Sequence, residues 1–312
     1  MSLASLNVSF SKSPLLKQPV FKRFTFSLLL FIGASTSVLG GISGIARPAK
    51  AQALLPYTLP LDEERLRADG ELLAQDAVQL AQFQQFDEAL ARAQLAAQLL
   101  PNEPTVLALL GNLYLRSSDP EPRKAIDNLE RAKDLEPNDP LILFNLGTAY
   151  FSEASYWQAA RSIEAGLKLS PDNPSALFDL GNAYYKLNRF DQAIAQYEKA
   201  TNSDAAMWPA INNIGLVMYE RGDLDGAIAK WQEALSLAGS EETEPLLAIA
   251  VARYSQGDQS SANSESAIAG IERDPRYAEI EFLEENLWGD QLITATKEFF
   301  NTPSLQTLLE QL

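Results

Sequence analysis

The chain is predicted to be all-α, a stack of helical hairpins, on three observations. Alike stretches recur along it: LALLGNLYL at 107–115, LFNLGTAYF at 143–151, LFDLGNAYY at 177–185 and INNIGLVMY at 211–219. Their glycines, Gly111, Gly147, Gly181 and Gly215, lie 36, 34 and 34 residues apart, a period at which helix pairs stack. Within one period, apolar residues fall at Leu177, Leu180 and Tyr184 and then at Ala193, Tyr197 and Ala200. That spacing of three or four lines one face of each of two short helices. Helices this short do not persist alone, so each pair must bury its face against the next pair.

Residues 1–51 come first and stand apart. They carry six basic residues (Lys12, Lys17, Lys22, Arg23, Arg47, Lys50) and no acid. Lys22 and Arg23 precede a mostly apolar run, 24–46, which as a helix would span about 34 Å, enough for a bilayer core. Ala49-Lys50-Ala51 and Ala51-Gln52-Ala53 then offer the small-x-small sites that a signal peptidase reads. Segment 1–51 is therefore a signal peptide or an N-terminal membrane anchor; the Gly and Ser in the second half of the run favour cleavage. Either way the positive-inside rule places the rest of the chain across a membrane. The Ser-rich, acid-free start resembles an organelle transit segment, and PAKAQA resembles cyanobacterial export signals, so a thylakoid lumen or a periplasm is expected. Residues 52–69 read as a linker, extended over its Pro-containing part, 52–62.

The repeats are placed at 70–276. The pattern from 104 to 241 resembles the tetratricopeptide repeat family, in which a large residue, Leu-Gly and an aromatic mark the first helix, and Ala, an aromatic, Ala and Pro follow. Residues 174–207 supply Leu177, Leu180, Gly181, Tyr184, Ala193, Tyr197 and Ala200, with Ala205 where Pro is usual. Residues 140–173 supply Leu143, Leu146, Gly147, Tyr150, Ala159, Ile163 and Pro171; residues 208–241 supply Ile211, Ile214, Gly215, Met218, Ala227, Trp231 and Ala234. The copy from 104 holds two extra residues in SSDPEP, a turn, where insertion is cheap. Weaker copies flank these at 70–103, with Asp76 in an apolar place, and near 243–276. Atypical end copies are what a stack needs to shield its ends. The resemblance implies a right-handed superhelix. Asn188 and Gly222 fall in turns expected to need a left-handed backbone. Residues 277–312 read as a C-terminal helical cap that covers the last repeat with Phe282, Leu283, Leu287, Trp288 and Leu292.

Composition narrows the function. With no Cys and no His, the chain has no disulfide, thiol nucleophile, imidazole base or Cys/His zinc site. The formal charge is −16, and beyond residue 51 the chain holds 19 basic against 41 acidic residues, which repels nucleic acid. FLEENLWGDQ gathers carboxylates near a Trp, but reads as solvated helix charge rather than an acid–base pair. No enzyme activity, cofactor or metal is expected; a carboxylate-dependent hydrolase would need a further compact domain.

The resemblance also implies where a partner sits. The first-helix positions that line the concave groove in that family hold Asn112, then Phe144, Asn145, Thr148 and Phe151, then Phe178, Asp179, Asn182 and Tyr185, then Asn212, Asn213 and Tyr219. Alternating rings and amides suit an extended peptide, because Asn both donates to and accepts from a backbone. Asn112 with Asn145, and Asn182 with Asn213, match the paired Asn of a carboxylate clamp. Its basic partners are missing: Ala108 and Phe178 stand in place of Lys, and Asp179 in place of Arg. The expected partner is thus a protein or peptide segment, with membrane contact only through 24–46 if that run is uncleaved. The expected function is a binding scaffold, either an assembly factor for photosynthetic membrane complexes or a periplasmic adaptor for envelope or cell-wall machinery.

Overall fold

The structure, a computed structural model, describes residues 62–239 and 241–312. The signal or anchor segment, and residues 52–61 of the linker, lie outside the described residues.

Every regular element among the described residues is helical. Twelve helices form six hairpins: α1 (Glu63–Gln82) with α2 (Phe86–Leu99), α3 (Pro104–Arg116) with α4 (Pro122–Leu135), α5 (Pro140–Ser152) with α6 (Tyr156–Leu169), α7 (Pro174–Lys186) with α8 (Phe190–Ser203), α9 (Trp208–Glu220) with α10 (Leu224–Ala238), and α11 (Thr243–Ser255) with α12 (Ser261–Arg273). A 3₁₀ turn (Pro275–Ala278) leads to α13 (Ile280–Glu285), α14 (Asp290–Phe300) and α15 (Pro303–Leu309). The boundary expected at residue 70 falls inside α1. Residues 63–69 continue its helix because nothing in EERLRAD breaks one.

The sequence states where helices begin. Pro104, Pro140 and Pro174 open first helices, at a position whose N–H has no helical partner anyway. Ahead of two of them, the Asp139 side chain accepts from the amides of Leu141 and Ile142, and Asn173 accepts from that of Ala176. The hairpin turns close through left-handed residues at Ala154, Asn188 and Gly222, as the sequence required of the last two. Inside each hairpin the glycine permits close approach. A Cβ on Gly181 would lie 2.4 Å from the Tyr197 ring, and one on Gly215 2.5 Å from the Trp231 indole.

Hairpins are joined by apolar burial and by a polar ladder. The Tyr150 hydroxyl donates to Glu130 at 2.7 Å, Tyr184 donates to Glu164, and Gln94 donates to Tyr114, each across one hairpin boundary. Burial and the facing carboxylates push the Tyr150 and Tyr184 hydroxyls up to about 12. At α9 the equivalent residue is Met218, and the ladder ends. Turns are tied as well, with Arg123 to Glu153 and Arg221 to Asp191, both at 2.7 Å.

First helices of successive hairpins touch one another from α1 through α9, whereas second helices make no comparable contact among the described residues. The first helices therefore form the inner, more crowded face. Within α1, the first helix of the stack, Asp76 is exposed, so the charge in an apolar place faces solvent. Leu283, Leu287, Trp288 and Leu292 of the cap are buried, while Phe282 is half-buried, edge-on to Tyr277.

Candidate functional site

The inner face has an open half and a closed half. In the open half, α3, α5 and α7 present Asn112, Asn145, Phe151 and Asp179 half-buried and Thr148 exposed. The Thr148 hydroxyl lies 3.2 Å from the carbonyl of Phe144 and 3.4 Å from Oδ2 of Asp179, so it links α5 to α7 at the surface. Phe151 leans on Tyr156, ring centres 5.2 Å apart. Phe144 and Phe178 were expected to face the groove. Each instead rests on its own hairpin's second helix. A Cβ on Gly166 would be 2.5 Å from the Phe144 ring, and Phe178 lies 5.8 Å from Tyr197, centre to centre. Both rings are half-buried.

The closed half corrects the sequence reading. Asn182, Tyr185, Asn212, Asn213 and Tyr219, all expected to line the groove, are buried. Asn182, Asn213, Tyr219 and the Nδ2 of Asn212 are taken up by bonds inside the stack, while Tyr185 packs its ring against Phe190. Asn182 Oδ1 accepts from the Tyr197 hydroxyl at 2.8 Å and from Asn213 Nδ2 at 2.9 Å. Asn212 Nδ2 donates to Glu244 at 3.0 Å, and the Tyr219 hydroxyl meets that of Ser255 at 2.9 Å. Amide side chains taken out of water must be paired in this way. The Asn182–Asn213 pair that resembled half of a carboxylate clamp is therefore bonded to itself.

α14 lies against part of this half. The sequence assigned the cap to the end of the last repeat; α15 does pack on α12, but α14 turns back onto α9 and α11. Glu220, at the end of α9, accepts from the amides of Gln291 at 3.2 Å and Leu292 at 3.0 Å, and its own carbonyl accepts from the Gln291 side chain at 2.8 Å. A carboxylate at free amides of a helix start is a favourable pairing. Burial nevertheless pushes the Glu220 carboxyl up, because these bonds offset only part of its lost hydration. At the other end of α14, Phe299 lies 5.3 Å from Tyr254 of α11, ring centre to ring centre. Glu220 and Gly289 were missed by sequence reasoning; the only available signal was an acid on the inner face at Glu220 and a Gly ahead of an amphipathic run.

Among the described residues, no group of His, Cys, Asp and Glu could hold a metal ion, and no helix is long and apolar enough to cross a membrane. The arrangement can hold a chain segment by side-chain contacts.

Fold and face together define a stack of helical hairpins with one partly open inner surface. The tetratricopeptide repeat family profile matches residues 154–210 and 178–242, so this part of the chain is similar to tetratricopeptide repeats. The chain is similar to PilF of Pseudomonas aeruginosa at 15% identity and a TM-score of 0.55, covering 72% of this chain and 98% of that one. It is also similar to residues 41 to the end of MamA from Desulfovibrio magneticus RS-1, at 20% identity and a TM-score of 0.50, covering 55% and 97%. These identities speak to the fold alone. Nothing matches among curated protein sequences.

Proposed function

We propose that the chain is an exported, non-enzymatic scaffold whose open inner face, over α3, α5 and α7, holds a segment of a partner protein. The observation that carries this reading is the accessible set Asn112, Asn145, Thr148 and Phe151, which combines backbone-capable amides and hydroxyls with a ring. In a stack whose other inner-face amides are bonded internally, amides left at the surface have bonding capacity to offer. The basic, then apolar, then small-x-small order of residues 22–53 supports export. With its transit-like start, the segment favours a photosynthetic host, and there the role is assembly of membrane complexes. A one-stage export signal favours the second reading, a periplasmic adaptor for envelope or cell-wall machinery.

The test is affinity capture from host membranes with the wild-type chain and with an Asn145→Ala, Phe151→Ala double variant. A partner held by wild type and lost by the folded variant is the expected outcome. Equal capture by both removes the open face from the function. Sequencing the N-terminus of the protein from its host is expected to find cleavage after Ala51 or Ala53, and a start at Ser2 would overturn cleavage.

A further inference from the structure

The segment that closes the inner face carries marks of an occupant rather than of a permanent part of the core. Leu287, in the turn that sends the chain back onto the stack, holds φ at 70°, a left-handed conformation costly for a branched side chain. The Tyr185 hydroxyl and the Trp288 indole N–H are buried without a hydrogen-bond partner among the described residues. Tyr185 lies in the field of both Glu220 and Asp290, which places it where α14 starts. Buried polar atoms elsewhere in a folded chain are nearly always paired.

We infer that the inner face of α9 and α11 is a helix-binding site that α14 occupies in cis, and that α14 must lift to admit an amphipathic helix of a partner. This rests on the reading that the inner face binds a protein segment, and it names that segment's form at the closed end.

The occupant itself states the chemistry. Along α14, Leu292, Ile293, Thr296, Phe299 and Phe300 are buried while Lys297 and Glu298 are exposed, so one apolar face meets the stack. A Cβ on Gly289, the residue before its first turn, would sit 2.3 Å from the Glu220 carboxyl carbon, so a side chain there displaces the carboxylate from the amides it accepts from. A competing helix therefore needs a small residue at its start, free amides for Glu220 and apolar residues at the same spacing. Trp288, Leu283 and Leu292 hold the segment down, so the open form is a minority and the partner's apparent affinity is reduced by that minority fraction.

The probe is a labelled synthetic peptide of residues 286–302, the chain's own α14 supplied in trans to the full-length chain with Glu220 kept intact. Trp288→Ala loosens the cis segment, and the peptide is expected to bind this variant at least about tenfold more tightly than wild type. In the wild-type chain, hydrogen exchange is expected to show amides 292–300 opening together ahead of those of α9. Equal binding by wild type and Trp288→Ala, binding by neither, or α14 amides that exchange only together with α9 overturns the proposal. The peptide does not depend on Asn145 or Phe151, so failure of the open-face reading and failure of this one are told apart.

Discussion

Asn145 and Asn213 occupy the same place in the first helices of hairpins two apart, yet only Asn145 reaches solvent. Asn213 is 3% exposed and donates to Asn182. Phe151 and Tyr219 divide the same way: one half-exposed, the other buried against Trp231 and Ser255. One repeat thus builds two surfaces. What separates them is the pairing of Asn213 with Asn182 of the neighbouring hairpin and, at the far end of the stack, a non-repeating helix packed on α9 and α11. The lesson is that a position in a repeat assigns a direction, while accessibility along that direction depends on what else the chain puts there.

The comparison breaks most directly at Trp288, which is 2% exposed. Trp288→Ala should cost about 3–5 kcal/mol of stability in urea titration and raise hydrogen exchange in α9 and α11, leaving α3 and α5 unchanged. Loss spread evenly over all hairpins would mean that the two halves are not separate. A smaller effect distinguishes packing from groove in the open half. Tyr184 is 6% exposed and bonded to Glu164, whereas Phe178 is half-buried against Tyr197. Thermal melts should therefore place Tyr184→Ala about 3 kcal/mol below wild type and Phe178→Ala only about 1–2 kcal/mol below. The reverse order would make Phe178 a core residue and remove it from any binding surface. The smallest effect sharpens the closed half. Tyr197→Phe removes one donor from Asn182 and leaves the one from Asn213, so a loss of about 1 kcal/mol is expected in denaturant titration. A loss several times larger would mean that the network is held as a unit.

Much of this fold was legible in the sequence because its contacts are local. Gly181 against Tyr197, Asn188 in its turn and Pro174 at its helix start each act within one period, and the period repeats the message. The candidate face was legible only in direction. Which amides would be left for a partner depended on bonds between neighbouring hairpins, Asn213 to Asn182 and Asn212 to Glu244, which the shared repeat pattern does not announce. Phe144 and Phe178 were misplaced for a nearer reason. Gly166, standing where the family has Ala, opens room for a ring on the second helix, and the Phe144 side chain fills it.

Glu220 also has a mechanical consequence. A stack of hairpins joined only to their neighbours acts as a spring, each junction yielding a little under load. By gripping the start of α14 from α9, while Phe299 at its other end rests on Tyr254 of α11, the chain braces two successive coils with one rigid strut. While α14 is seated, bending is confined to the unbraced coils between α1 and α7, so a pull on the chain stretches the open face first.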